Sequence, residues 1–322
     1  MKLLVVDDLH PDFQKILAAN TNIKIDYQPN ISAEKAQQIL PNYTALVVRS
    51  KLNINQKLID QCPNLNLIAR AGAGIDNIQI ELQTDLKNTL RAKNNPELTV
   101  LNANEANADA VGEHAIGMLL MLMNKLNIAN AQVKNKIWQR EQNRGTELKG
   151  KTIGIVGFGH NGQATAQKLS GFGVKIWAYD KYKTGFSNAF VEEKSLNDLF
   201  EHADIVSIHI PLNSETNHVI NEKFIEAFKK PFYLVNISRG KIVKLNALIE
   251  GLKSQKILGA CLDVLENEQL ETLNATENTQ FEYLANAQNV VLTPHIAGWT
   301  FESYQKISEV LAHKILQLVE KN

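Results

Sequence analysis

The sequence predicts an α/β protein built from two doubly wound parallel-sheet domains with a cleft between them. Three observations predict it. Short apolar runs alternate with amphipathic stretches over nearly the whole chain. A polar segment divides the alternation into two series, and the second series supplies six strands, enough for a complete doubly wound sheet.

In the first series, KLLVVD (2–7) has the length and branching of a buried strand, and SAEKAQQIL (32–40) is a helix opened by a serine cap. ALVV (45–48) is a strand, NQKLIDQC (55–62) a helix, and LIARAG (67–72) a strand ending in a glycine loop. The polar segment ELQTDLKNTLRAKNNPELT (81–99) predicts a surface helix followed by a turn at 94–96, and a long apolar helix is expected from about Ala108 to Asn130. The second series has strands at 151–157, 174–180, 204–210, 232–237, 257–262 and 290–293. From Glu302 to Lys321, Tyr304, Ile307, Val310, Leu311, Ile315 and Val319 recur at helical spacing.

Composition bounds the function. At 322 residues the chain suits about two domains. Its formal charge of zero gives no global field for nucleic acid or an anionic membrane. Two distant cysteines, Cys62 and Cys261, exclude a disulfide scaffold or zinc module and fit a reducing compartment. The apolar run Leu3–Val6 is too short for a signal-peptide core, and AIGMLLMLM (115–123) falls far short of the ~20 residues of a membrane span. A cytoplasmic protein with no membrane, nucleic-acid or metal partner is expected.

The most informative local motif is KTIGIVGFGHNGQATAQKL (151–169). A strand leads into Gly157, Gly159 and Gly162, which open a helix: the first permits a tight turn, the second a close approach of backbone to a diphosphate, the third close packing of helix on strand. The next strand, VKIWAYD, ends in Asp180, 18 residues after Gly162, where a carboxylate accepts ribose hydroxyls and repels a 2′-phosphate. The pattern predicts a Rossmann-like domain that binds NAD; Lys181 and Lys183 soften the preference against NADP.

A nicotinamide cofactor implies hydride transfer, which for a carbonyl/alcohol pair requires a proton donor–acceptor and a cation for the substrate. Three successive strand ends of the second series deliver Arg239 (NISRG), an acidic cluster of Asp263, Glu266 and Glu268 (LDVLENE), and His295 (TPHIAG). A guanidinium at such an end can fork onto a carboxylate.

These segments, with VRS, RAGAGIDN, ANADAVGEHAIGMLL, GKTIGIVGFGHNGQ and SIHIPLNSET, resemble the D-isomer-specific 2-hydroxyacid dehydrogenases, especially the branch acting on 3-phosphoglycerate. The matches span nearly the whole chain. The resemblance implies that Arg239 binds and polarises the substrate's carboxylate–carbonyl unit, that Glu268 pairs with His295, and that His295 exchanges the proton. A carboxylate partner favours the imidazolium and fixes which ring nitrogen carries that proton. By the same resemblance His160 and Asn161 contact the diphosphate and Asp263 faces the nicotinamide. His209 and Pro211 line the adenosine side, and Ile237, Ser238, Ala297 and Gly298 the nicotinamide-ribose side. The backbone of Ala73 and Gly74 holds the substrate carboxylate while Arg49 and Ser50 reach its far end. The implied architecture is a discontinuous substrate-binding domain, residues 1–101 with 299–322, and an NAD-binding domain, residues 102–298. It forms a homodimer through the NAD-binding domain, with the long helix and residues 130–150 at the interface.

Some residues carry two readings. Glu266 competes with Glu268 for His295. His209 either lines the cofactor or caps its strand, and His114, on an apolar helix face, reads as a packing histidine. Arg49 is a substrate contact or a surface ion-pair partner, and Trp299 a lid or an interface anchor. Gln79, Asn104, Lys244 and Gln269 depart from the family's usual residues. The chain ends after the tail helix, so a serine-sensing regulatory domain is not expected. The leading expectation is oxidation of D-3-phosphoglycerate, as in serine biosynthesis, with Arg49 and Lys51 as a cationic end for the phosphate. Glyoxylate/hydroxypyruvate and D-lactate chemistry are the alternatives, and an NADH-responsive corepressor is a remote one.

Overall fold

The computed structural model describes residues 1–84 and 90–320. The chain forms two compact units, Met1–Asn107 with Thr300–Asn322, and Ala108–Trp299.

The first unit holds β1 (Lys2–Val5), β2 (Lys24–Tyr27), β3 (Ala45–Val48), β4 (Ile54–Asn55), β5 (Leu67–Arg70), β6 (Ile78–Gln79), β7 (Leu82–Thr84), β8 (Leu90–Ala92) and β9 (Asn95–Asn102). The main sheet has the order β2-β1-β3-β5-β9-β8-β7, parallel from β2 to β9 and antiparallel beyond it, while β4 and β6 pair separately. The near-continuous apolar runs of β1, β3 and β5 follow from burial on both faces. One face packs Leu4, Leu46, Val48 and Ile68 against Ala36 and Leu40; the other packs Leu3, Val5, Val47 and Leu67 against Phe13, Leu17 and, from the helix Phe301–Glu320, Ile307, Leu311 and Ile315.

The surface helix expected within 81–99 is absent from the described part of that segment, which forms β7, β8 and the start of β9; residues 85–89 lie outside the described residues. Pairing as strands instead puts Ala92, Leu98 and Val100 into the core and satisfies the backbone through the ladder.

The second unit holds β10 (Thr152–Val156), β11 (Lys175–Tyr179), β12 (Val191–Glu193), β13 (Ile205–Ile208), β14 (Phe232–Asn236), β15 (Ile257–Leu262) and β16 (Val290–Leu292). The order is β12-β11-β10-β13-β14-β15-β16, parallel throughout, with β12 a seventh strand beyond the six expected. The strand order reverses between β10 and β13, the switch point where such sheets bind ligands. The expected helix from Ala108 to Asn130 is two helices, Ala108–Met123 and Leu126–Lys134, broken at Lys125 with φ 51°. The first buries ten residues of its apolar face and the second none, so the break falls where the apolar sequence stops.

Candidate active site

The turn after β10 is a cradle shaped by its glycines. Gly157 sits at φ +96°, a conformation that disfavours side chains. A Cβ on Gly162 would lie 2.2 Å from the Gly157 carbonyl oxygen, so the helix His160–Leu169 rests directly on the turn. A Cβ on Gly159 would meet nothing within 4 Å, which leaves open space before the helix N-terminus. Two buried polar atoms near the switch point have no hydrogen-bond partner: Asn161 Oδ1, in the first turn of that helix, and His209 Nδ1, just past β13. His209 Nε2 is bonded to Ser207 Oγ at 2.8 Å, and burial pushes the imidazole down to about 4. Asp180, one residue past β11, is held by the amides of Phe158 at 2.8 Å, Tyr182 at 2.9 Å and Lys183 at 3.0 Å, and its remaining lone pairs can accept further hydroxyls. His160 and Pro211 are exposed beside these groups. Ser238 Oγ donates to the Ile208 carbonyl at 2.7 Å, tying the end of β14 to β13, and Ile237 is buried.

The ends of β14, β15 and β16 are neighbours, with Asn236 opposite Leu262 and Leu262 opposite Leu292. Arg239 follows the first of them. Its Nη1 donates to the Ser238 carbonyl at 2.7 Å, and the next residue, Gly240, lies so close to the Leu265 carbonyl that a Cβ would fall 1.8 Å from it. His295 Nδ1 lies 2.9 Å from Glu268 Oε2, with both side chains nearly half exposed. Glu266 is engaged elsewhere: its Oε1 accepts the Leu245 amide at 2.6 Å at the start of the helix Leu245–Lys253, and its Oε2 lies 3.2 Å from His218 Nε2. The rival carboxylate is thus a helix cap, and Glu268 is the partner of His295.

Backbone strain marks the same loop. His295 has φ 55°, uncommon for a non-glycine residue, and Asp263 holds it there. The Asp263 carbonyl accepts the His295 amide at 2.7 Å, while its carboxylate accepts the amides of Ile296 at 2.9 Å and Ala297 at 2.8 Å. Asp263 is 1% exposed. Burial opposes its ionisation, but hydrogen bonds from His114, Thr293 and the Ala297 and Ile296 amides outweigh burial and hold the carboxyl below its usual range. Pro294, Ile296, Gly298 and Trp299 complete the loop, whose Trp299 amide bonds back to the Ile296 carbonyl.

The four substrate-binding residues assigned beside Arg239 belong to the first unit. The Asp7 carboxylate accepts the Arg49 amide at 2.6 Å, and burial draws the Arg49 guanidinium below its usual value against the pull of Asp7, Tyr304 and Asp8. Ser50 is exposed, and the Lys51 ammonium donates to the Pro29 carbonyl. The Ala73 carbonyl accepts Asn102 Nδ2 at 2.9 Å, which steadies the loop carrying Gly74.

The NAD binding domain model of the D-isomer specific 2-hydroxyacid dehydrogenases matches residues 116–297. The chain belongs to that family. The dehydrogenase is 33% identical over 313 residues to a hydroxypyruvate reductase of Thermotoga maritima, covering 97% of this chain and 96% of that one. It is 32% identical over 322 residues to a D-3-phosphoglycerate dehydrogenase of Methanocaldococcus jannaschii, of which it spans only 57%. The crystal structure of D-lactate dehydrogenase from Aquifex aeolicus complexed with NAD and lactic acid aligns with a TM-score of 0.80 at 27% identity, covering 100% of this chain and 96% of that one. The family places the protein among NAD-dependent oxidoreductases acting on CH–OH donors. No helix among the described residues is long and apolar enough to cross a membrane, and no group of three or more metal-ligating side chains occurs among them.

The residues present fit the cofactor: open space above Gly159, a helix N-terminus behind it, two unsatisfied buried polar atoms and a carboxylate at the next strand end. Sequence reasoning missed two groups. Arg70, at the carboxyl end of β5, packs its guanidinium over Gly72, where a Cβ would lie 1.7 Å from Nη1; the strand-end rule that selected Arg239 could have selected it. Asp8 accepts the hydroxyls of Tyr27 at 3.0 Å and Tyr304 at 2.6 Å, a cluster drawn from residues 296 apart that no local motif announces.

Proposed function

We propose that the dehydrogenase interconverts a small D-2-hydroxy acid and its 2-oxo acid, with His295 as the proton donor in reduction and acceptor in oxidation. The observation that carries this reading is the His295 Nδ1–Glu268 contact of 2.9 Å at a strand end of the sheet that carries the glycine cradle. The pairing leaves Nε2 to face the substrate oxygen. Arg239 binds the substrate carboxylate and polarises the adjacent carbonyl. Ala73 and Gly74 hold the carboxylate through backbone amides, and Arg49 and Ser50 meet the far end of the substrate. Gly157, Gly159, His160, Asn161 and Gly162 hold the cofactor diphosphate, Asp180 the adenosine ribose, and His209 and Pro211 the adenosine side. Ile237, Ser238, Asp263, Ala297 and Gly298 border the nicotinamide end. When bound, NAD supplies the hydride acceptor, and the carboxylate of Asp180 favours it over NADP.

For the substrate we favour a short unphosphorylated acid, hydroxypyruvate or glyoxylate. Lys51 is turned to the Pro29 carbonyl, and Asp7 and Asp8 lie near Arg49, which disfavours a phosphate dianion there. D-3-phosphoglycerate is the second reading, favoured by the position of Arg49 just past β3 and by the match to VRS. Steady-state rates with NADH and hydroxypyruvate, glyoxylate, pyruvate or 3-phosphohydroxypyruvate test it: kcat/KM highest for hydroxypyruvate or glyoxylate supports the first reading, and a preference for the phosphorylated acid replaces it with the second and with a place in serine biosynthesis. We also read the protein as a cytoplasmic homodimer with a small acid as its partner and no nucleic acid. Leu126, Val133, Ile137 and Trp138 are exposed on and beside the helix Leu126–Lys134, and the two buried cysteines are free, as in a reducing compartment. Light scattering of wild type and Trp138→Glu checks the dimer.

A further inference from the structure

We infer that His114 is a positioning residue for the proton-exchanging loop, acting through Thr293 and Asp263. The inference rests on the reading of His295 as the reacting group. His114 lies on the helix Ala108–Met123, among side chains that sequence alone gives to packing. Its Nε2 is 3.0 Å from Thr293 Oγ1 and 3.5 Å from Asp263 Oδ1. Thr293 in turn donates its hydroxyl proton to Asp263 Oδ1 at 2.6 Å. Because that proton is committed to the carboxylate, the threonine oxygen can only accept from His114, so Nε2 carries the hydrogen.

The relay ends on the group that bends the loop. Asp263 grips His295 by its amide and the next two residues by theirs, and His295 keeps a left-handed backbone only while all three bonds stand. A carboxylate 1% exposed stays ionised, and so a full acceptor for the Ile296 and Ala297 amides that follow His295, only if donors surround it. His114 spends its Nε2 hydrogen on the Thr293 oxygen, which aims the Thr293 hydroxyl at the carboxylate, and it keeps the polar edge of its ring 3.5 Å from Asp263 Oδ1. An apolar residue at 114 leaves that hydroxyl free to turn and the carboxylate short of a donor. The loop then relaxes and the His295 ring leaves its contact with Glu268.

The test uses the full chain, with 15N-histidine NMR in the absence of substrate and NADH-dependent hydroxypyruvate reduction alongside. The His295 signal is assigned from His295→Asn. In His114→Leu the His295 ring signals shift or broaden and kcat falls about tenfold, the equivalent of one hydrogen bond to a charged group, with KM within about twofold. His114→Gln, which keeps an N–H donor, restores both. Thr293→Val reproduces the Leu effect from the other end, and the double variant is no worse than either single one. His295 ring signals unmoved by His114→Leu overturn the inference whatever the rate does, as do additive effects of the two variants. If the wild type reduces none of the 2-oxo acids tried, the proposed function fails separately, and the NMR measurement alone still decides the role of His114.

Discussion

Two glycines of the cradle separate folding from binding. In Gly162→Ala the new Cβ would sit 2.2 Å from the Gly157 carbonyl oxygen and 3.3 Å from Ile155 Cγ2. Backbone cannot rotate away as a side chain can, so the helix His160–Leu169 must lift by roughly 1 Å to restore van der Waals distance. Overpacking of this kind costs about 1–3 kcal/mol, and in a unit of this size each kcal/mol lowers Tm by about 2–4 °C. In Gly159→Ala the Cβ meets nothing within 4 Å, and the backbone, at φ −78° and ψ −163°, suits alanine. Stability should change by no more than about 0.5 kcal/mol, while the methyl occupies the space assigned to the diphosphate, so Kd for NADH rises by about tenfold or more. Thermal melts and NADH fluorescence titrations read both quantities on the same samples. A Gly159→Ala protein that binds NADH as wild type, or a Gly162→Ala protein that melts as wild type, would refute the geometric argument.

Three further outcomes follow from side-chain geometry. Glu266→Ala removes the acceptor for the Leu245 amide and should cost about 1–2 kcal/mol in urea unfolding while sparing kcat, whereas Glu268→Ala should lower kcat by about tenfold or more and spare stability. His209 is held neutral, with its imidazole at about 4 against an unfolded value near 6.5, so the unfolded chain binds the extra proton between those values. Stability therefore falls as pH drops from about 6.5 to 4, by up to about 3 kcal/mol, and His209→Gln should flatten that part of the denaturation-versus-pH curve. Asp180→Ala removes the acceptor at the end of β11, so the Kd ratio of NADP to NAD should shift towards NADP by about tenfold, as titration of each cofactor would read.

What could be read from the sequence divides along local and non-local lines. The buried parallel strands were legible because burial on both faces writes a continuous branched-apolar run such as ALVV. The glycine loop was legible because a turn that close to a phosphate admits almost no other residue. The β7–β9 segment was not, since its identity as strand depends on Leu98 and Val100 finding the edge of β5 rather than on any period of its own. The break at Lys125 lies between two stretches that each favour helix, and only the loss of a core to pack against ends the first. Within the site, Arg239 and His295 stood out because each follows an apolar strand run. The choice of Glu268 over Glu266 came from the family resemblance and not from the residues themselves, because two carboxylates two residues apart differ only in which partner the fold brings near: a helix start for one and an imidazole for the other. His114 was hidden for the same reason, 179 residues from the threonine it meets.

The proposed function rests on His295, held by Glu268, as the group that exchanges the proton in NAD-dependent interconversion of a 2-hydroxy and a 2-oxo acid. Its most direct test is single-turnover reduction of hydroxypyruvate by NADH in His295→Asn against wild type, with NADH affinity measured on both. The rate in His295→Asn should be lower by roughly 10²–10⁴-fold at unchanged NADH affinity. A variant that reduces the oxo acid within a few-fold of wild type would contradict it.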